Sequence, residues 1–221
     1  MRNSLSIQGN NCRKVELLKE FNVVVTGVGG QGNLLLSRLI AAAAHHEGFD
    51  VQTGETLGMA QRGGSVTSFI RYGTEIFTPL VPDHGAHLLI SLEPVEALRS
   101  IRYVGEFTNV LLNTKSRPPL SVSLGETPYP DIKEIENIFR SVGVDILAFD
   151  ALELAERAGD PRSANVTMFG GMAALNISSI RVESYKKALK ETLSQKLLQV
   201  NMQAFDLGYE TVTRLKNERG R

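Results

Sequence analysis

Six residues, Gly27-Val28-Gly29-Gly30-Gln31-Gly32, have the composition of an anion-binding turn. They follow the β-branched run Phe21–Val25 and precede the helix-forming run Asn33–Ala44. Glycines let the backbone turn tightly and approach a ligand, and a helix start presents N–H groups with partial positive charge. A dinucleotide fingerprint requires this same context. The candidate cofactor-binding residues of this turn are Gly27, Gly29, Gly30, Gln31 and Gly32.

The dinucleotide interpretation also needs an acidic residue about 20 positions further on, at the end of the second strand, to bind the ribose. Glu55 stands nearest to that position, with Asp50 before it, and neither is a convincing match. Two alternatives stay open. The glycines form a tight turn that packs a helix on the sheet, or they form a phosphate pocket for another ligand.

A second glycine-rich segment runs from Gly58 to Ser65. The planar fork of an arginine and the amide of a glutamine suit a phosphate or a carboxylate. The alternative is a loop that only packs against the first turn. Both loops leave the carboxyl ends of predicted strands, where open α/β sheets bind ligands, so we predict one shared cleft. Its further candidate residues are Gln61, Arg62, Gly63 and Gly64.

The sequence gives little support for a metal site or a catalytic nucleophile. The four histidines lack the spacing of a metal site, and no Gly-x-Ser-x-Gly nucleophile elbow occurs. The single cysteine, Cys12, excludes an intrachain disulfide and any site that needs four thiolates. Glu93, before Pro94, is either a ligand carboxylate or a helix-start acid. We predict a binding pocket without a metal and without a self-sufficient catalytic set.

The elements that must position these loops alternate between strands and helices. This alternation predicts a three-layer α/β/α sandwich with a mainly parallel, Rossmann-like sheet and helices at the C-terminus. Residues 1–20 are expected to be an N-terminal extension, and residues 21–215 one domain. The predicted strands are Phe21–Val25, Phe49–Thr53, Ser65–Tyr72, His87–Leu92, Asn109–Thr114 and Val144–Phe149.

Composition excludes several classes of protein. The 221 residues include 24 basic and 24 acidic side chains, so the basic excess of a nucleic-acid-binding protein is missing. The longest apolar run, Leu34–Ala44, is far shorter than the roughly 20 residues of a membrane span. The polar first 20 residues do not resemble a secretion signal, and one cysteine suits a reducing compartment. We expect a cytoplasmic protein that binds neither nucleic acid nor membrane.

Several segments together resemble the gamma-type subunits of 2-oxoacid:ferredoxin oxidoreductases, from about Phe21 to Tyr209. Within that family the sequence is most similar to the indolepyruvate enzymes, and the pyruvate, 2-oxoisovalerate and 2-oxoglutarate enzymes stand close. The segments that carry the resemblance are GVGGQGNLLLSRLIAAAAHHEG, GMAQRGGSVTSFIRYG, HLLISLEPVEALR, VLLNT, DALELAERAGDPRSANVTMFGGMAAL and NMQAFDLGY.

The resemblance implies oxidative decarboxylation of a 2-oxoacid with coenzyme A, which yields an acyl-CoA, carbon dioxide and reduced ferredoxin. Thiamine diphosphate and [4Fe-4S] clusters are then expected on a large partner subunit, since this chain lacks a Gly-Asp-Gly…Asn thiamine motif and cluster cysteines. The chain would be inactive alone, and coenzyme A is the anion expected at the shared cleft.

The alternatives to that function are a stand-alone NAD- or FAD-binding oxidoreductase and a ligand-free structural subunit. A homodimer of the isolated chain stays open. Apolar residues near the C-terminus are candidates for a subunit interface, with core packing as the equal alternative. These residues are Val166, Met168, Met172, Leu175 and Ile177.

Overall fold

The computed structural model describes residues 18–58, 63–116 and 129–219, and six strands of these residues form one sheet in the order β2-β3-β1-β4-β5-β6. Five strands run in one direction and β3 runs against its two neighbours. The predicted α/β class with a mainly parallel sheet is therefore confirmed. The strands are β1 (Glu20–Val28), β2 (Asp50–Leu57), β3 (Ser65–Gly73), β4 (Ala86–Ser91), β5 (Val104–Asn113) and β6 (Ile146–Phe149).

Helices cover both faces of this sheet. One face packs against α1, α4, α5, α6 and α7, and the other packs against α2 and α3. The layers are thus the three that the sequence predicts. The helices are α1 (Asn33–His46), α2 (Pro94–Arg99), α3 (Ile132–Ser141), α4 (Ala151–Ala158), α5 (Ala164–Leu175), α6 (Val182–Thr192) and α7 (Gln195–Arg219). Among the described residues, no helix is both long enough and apolar enough to cross a membrane.

The second strand is longer than the sequence predicts. The apolar run favours Phe49–Thr53, but β2 extends to Leu57 and pairs with β3 along its whole length. Only residues 58–64 join the two strands, and such a short connection requires an antiparallel hairpin. In this hairpin β3, and not β2, lies beside β1.

Carboxylate caps fix two of the helices whose starts face the carboxyl edge of the sheet, α2 and α4. The Glu93 carboxylate accepts the N–H groups of Val95 and Glu96, at 2.8 and 3.1 Å, where α2 begins. The Asp150 carboxylate accepts the Glu153 N–H at 2.9 Å at the start of α4. These caps satisfy backbone donors that would otherwise lack partners, and they fix where each helix begins.

The C-terminal helices pack more closely than side chains ordinarily allow. A Cβ atom at Gly170 would overlap the backbone of Phe205, and one at Gly208 would overlap the backbone of Thr167. The close approach buries α5, so four of the five interface candidates are at most 4% exposed within this chain, and Ile177 packs partly buried against the same core. The core-packing alternative therefore holds for Val166, Met168, Met172 and Leu175, while Ile177 is only partly buried.

Candidate functional site

Five parallel strands end at one edge of the sheet, and the ends of β1, β4 and β5 build the candidate site. The register places Thr26 of β1 beside Ser91 of β4, and Ser91 in turn beside Leu112 of β5. The hairpin between β2 and β3 turns at the same edge, because Val28 pairs with Ser65. The structure thus brings both glycine-rich loops to the place where open α/β sheets bind ligands.

The first turn needs glycine at two positions. Gly30 and Gly32 have φ angles of 97° and 84°, in the left-handed region that side chains with a Cβ disfavour. A Cβ atom at Gly32 would also overlap the Asn165 amide, whereas one at Gly30 would meet nothing within 4 Å. Gly32 is therefore fixed by conformation and by packing, and Gly30 by conformation alone.

Gln31 uses its side chain to brace this turn. Its Oε1 accepts the Val28 N–H at 2.7 Å, and its Nε2 donates to the Leu92 carbonyl at 3.0 Å. One amide thus ties the end of β1 to the residue that follows β4. Gln31 also lines the pocket described below, although its side-chain amide is engaged within the chain.

One side of the turn faces β3 and is closed by protein contacts. The Gly29 N–H donates to the Gly64 carbonyl at 2.9 Å, and Asn33 Nδ2 donates to the Val66 carbonyl at 3.1 Å. Gly63 and Gly64, the described end of the second loop, thus pack beside the first turn. Gln61 and Arg62 lie outside the described residues.

The other side of the turn faces β4 and opens into a pocket of about 420 Å³. Gly30, Gln31 and Gly32 form one wall. The described end of the second loop does not contribute to the lining. The remaining lining residues are Leu35, Leu92, Asn113, Lys115, Ser116, Leu152, Pro161, Arg162, Ala164 and Asn165.

The electrostatics of this pocket favour an anion. The first turns of α1, α4 and α5 contribute lining residues, and each helix start carries partial positive charge. Lys115 and Arg162 add two cationic side chains, of which Arg162 is paired with Asp160, and the Asp150 carboxylate caps α4. Backbone donors, a lysine and a guanidinium fork together suit phosphate or carboxylate groups.

Asn113 holds the floor of the pocket together. Its Nδ2 donates to the Leu92 carbonyl at 3.0 Å, and its Oδ1 accepts the Ala151 N–H at 2.9 Å. The Leu92 carbonyl thereby accepts from both Gln31 and Asn113. The ends of three strands and the start of α4 are thus cross-linked by two amide side chains.

Asn165 connects the first turn to the C-terminal helices. Its Nδ2 donates to the Gly32 carbonyl at 3.1 Å, across 133 positions of sequence. Asn165 is 2% exposed, so this bond is shielded from water. The contact sets the distance between α1 and α5, and hence the width of the pocket between them.

Two buried acids flank the turn without entering the pocket. Both Glu93 oxygens are engaged, by the N–H groups at the start of α2 and by the Tyr129 hydroxyl, so the helix-start alternative for Glu93 is confirmed. Burial raises the pKa of Glu93. One helical turn further on, Glu96 accepts the Ser65 hydroxyl at 2.5 Å and pairs with Arg99 at 2.7 Å.

The pocket is lined by five polar residues that the motif search did not select: Asn113, Lys115, Ser116, Arg162 and Asn165. The sequence could have pointed to Asn113 as a site residue, because it ends an apolar strand at the carboxyl edge of the sheet. Arg162 lies in the turn that precedes α5, and Asn165 in the first turn of an otherwise buried helix. Their approach to the glycine turn depends on long-range packing, which sequence spacing does not encode.

The strand order leaves no ribose acid where a dinucleotide would need one. In dinucleotide-binding folds that carboxylate follows the parallel strand adjacent to the first one. Here the neighbour on that side is the antiparallel β3, and the residue facing Val28 is Ser65. Glu55 pairs with Ser68 in the hairpin. The described residues therefore do not support the stand-alone NAD or FAD alternative.

The histidines are dispersed over the described residues. His46 pairs with Glu191 at 2.9 Å, the His84 Nδ1 lies 2.8 Å from the Val104 carbonyl, and His87 accepts the Asn22 N–H at 3.0 Å. In residues 18–58, 63–116 and 129–219, no three His, Cys, Asp or Glu side chains gather as metal ligands.

Comparison with known proteins finds similarity over nearly the whole chain. Residues 22–211 match the family model of pyruvate ferredoxin/flavodoxin oxidoreductases. The indolepyruvate oxidoreductase subunit IorB of Pyrococcus horikoshii is 38% identical over 201 residues, which cover 90% of this chain and 100% of that protein. Subunit IorB of Archaeoglobus fulgidus is 41% identical, over 85% of this chain and 93% of its own length.

Solved structures share the fold. The gamma subunit of a keto/oxoacid ferredoxin oxidoreductase from Geobacter sulfurreducens has a TM-score of 0.65 and 20% identity, and the match covers 88% of this chain and 99% of that one. The 2-oxoglutarate:ferredoxin oxidoreductase of Magnetococcus marinus, solved with 2-oxoglutarate, coenzyme A and succinyl-CoA bound, has a TM-score of 0.68 and 20% identity. That match covers 89% of this chain and 31% of the other.

Proposed function

The chain belongs to the pyruvate ferredoxin/flavodoxin oxidoreductase family, and from that premise we propose that it is the gamma-type subunit of a 2-oxoacid:ferredoxin oxidoreductase acting on aryl pyruvates such as indolepyruvate. The observation that carries the proposal is the match of nearly the whole chain to subunits of indolepyruvate oxidoreductases. The complex would decarboxylate the 2-oxoacid oxidatively with coenzyme A. Its products are an acyl-CoA, carbon dioxide and reduced ferredoxin.

The residues of this chain do not fit the redox centres of such a complex. A [4Fe-4S] cluster is held by four cysteine thiolates, and this chain has one cysteine. We therefore assign the clusters and thiamine diphosphate to a larger partner subunit, which makes this chain a non-autonomous member of the enzyme. Its own contribution is to bind and orient a substrate.

We assign the pocket on the β4 side of the turn to the anionic part of coenzyme A. The support is the convergence of three helix starts with Lys115 and Arg162 around Gly30, Gln31 and Gly32 of the first turn. The pocket volume of about 420 Å³ lies within the range of ligand sites in proteins. The loop that carries Gln61 and Arg62 is the competing location for the same group.

The function is tested by producing this chain together with its large subunit under anaerobic conditions. The purified complex should reduce methyl viologen only when indolepyruvate and coenzyme A are both present, and it should prefer indolepyruvate to pyruvate and 2-oxoglutarate. Each subunit assayed alone is the matched control and should be inactive. Activity from the pure chain, or a complex that prefers pyruvate, would contradict the proposal.

A further inference from the structure

Arg162 lines the pocket but is already engaged by a carboxylate. Its Nε lies 2.9 and 3.1 Å from the two Asp160 oxygens, and its Nη2 lies 2.7 Å from Oδ2. The Asp160 oxygen also accepts the Arg162 backbone N–H at 2.9 Å. The fork of Arg162 is thus paired in the same planar geometry that a phosphate would use.

The two partners differ in their freedom to move. The Arg162 side chain is 81% exposed, whereas the Asp160 side chain is 17% exposed and caps the short helical turn Pro161–Ser163. An exposed ion pair is weak because water screens it, so Arg162 can exchange its partner at small cost. Asp160 would keep the backbone N–H of Arg162 after such an exchange, so its carboxylate would not be left unpaired.

We propose that Asp160 is a built-in competitor for Arg162 that sets the affinity of the complex for coenzyme A. The inference rests on the proposed function of the pocket. When coenzyme A binds, its phosphate takes the place of the Asp160 carboxylate on the Arg162 guanidinium. Asp160 is then an affinity-determining residue that does not touch the ligand.

The competition has a use in a catalytic cycle. Coenzyme A enters this pocket and an acyl-CoA must leave it, and both carry the same phosphates. A contact that strengthens substrate and product equally lowers the KM without raising the catalytic rate. The Asp160 carboxylate offsets part of the Arg162 contact for both molecules, which favours release of the product.

The test is Asp160→Asn in the assembled complex. The amide oxygen can still accept the Arg162 N–H, so the cap survives while the competing charge is lost. The KM for coenzyme A should fall by about two- to fivefold, the factor associated with an exposed ion pair, with kcat unchanged or lower. Asp145→Asn is the matched control, because Asp145 pairs with Arg140 at 3.8 Å beside the start of β6, at the opposite edge of the sheet.

A second pair of complexes, both lacking Arg162, tests whether Asp160 acts by competing for Arg162 or by repelling the phosphate directly. In an Arg162→Met complex, Asp160→Asn should leave the KM for coenzyme A unchanged. An equal fall in KM without Arg162 would overturn the exchange, as would an unchanged or raised KM in the Asp160→Asn complex. Asp160→Ser, which also caps a helix, repeats the measurement if the asparagine variant does not fold.

Lys115→Met distinguishes failure of the inference from failure of the pocket. If Lys115→Met raises the KM for coenzyme A and Asp160→Asn has no effect, the pocket binds coenzyme A but Asp160 does not compete for Arg162. If the KM for coenzyme A is unchanged in both variants, coenzyme A does not bind in this pocket, and the proposed competition is wrong as well.

Discussion

The two sides of the Gly27–Gly32 turn have different surroundings: one packs against β3, and the other borders a pocket. On the β3 side, the Gly29 N–H donates a hydrogen bond to the Gly64 carbonyl, and the Asn33 side-chain amide donates one to the Val66 carbonyl. On the β4 side, the same turn borders a pocket with two cations and the starts of three helices. One glycine motif thus serves packing on one side and lines the proposed anion pocket on the other.

The largest effect that would separate these roles is expected from Gly32→Ala. Alanine must adopt a φ of 84° and meet the buried Asn165 amide, so the free energy of unfolding should fall by about 2–4 kcal/mol. Gly30→Ala, with a φ of 97° and open space, should cost only about 1 kcal/mol. Urea denaturation of the full chain measures both, and equal losses would show that Asn165 does not constrain the turn.

The second comparison sets Lys115, which lines the pocket, against Arg62 of the second glycine-rich loop. Lys115→Met, on the β4 side, should raise the KM for coenzyme A in the assembled complex by about 10- to 150-fold, because one charge-assisted contact is lost. Arg62→Met, in the second loop, should change this KM by less than about threefold. Steady-state kinetics on both complexes decide, and the reverse order would move the ligand to the second loop.

The smallest expected effect concerns how pH acts on the acid beside the pocket. Burial raises the pKa of Glu93 above its ordinary value of 4.5, so the folded state holds the proton more tightly than the unfolded state. Stability from Glu93 is therefore lost as the pH rises from 4.5 through the raised pKa. Glu93→Gln does not titrate, so its melting temperature relative to the natural chain should rise across that window and then level off.

The exposed Glu55→Gln is the control for this pH series, because its side chain lies on the outer strand β2. Its melting temperature should follow that of the natural chain at each pH. If the melting temperature of Glu93→Gln minus that of the natural chain stays constant from pH 4 to pH 8, the pKa of Glu93 is not raised. If this difference falls as the pH rises, the pKa of Glu93 is lowered instead.

The sequence by itself determined the local elements of this protein. Glycines next to a β-branched run predicted the strand, turn and helix that form β1 and α1, and each of the six predicted strands overlaps an observed one. These features depend on residues close together in the chain, where backbone propensity and capping act. The family resemblance followed from the same local motifs.

Only the tertiary structure decided which side of the turn is open. The position of β3 between β1 and β2, the meeting of Gln31 and Asn113 at the Leu92 carbonyl, and the approach of Asn165 to Gly32 all join distant parts of the chain. These contacts stabilise the protein only once the whole sheet and its helices have assembled, because each one needs a strand or helix from a distant part of the chain. Local periodicity carries no record of such partners, because a strand has the same pattern whichever neighbour it pairs with.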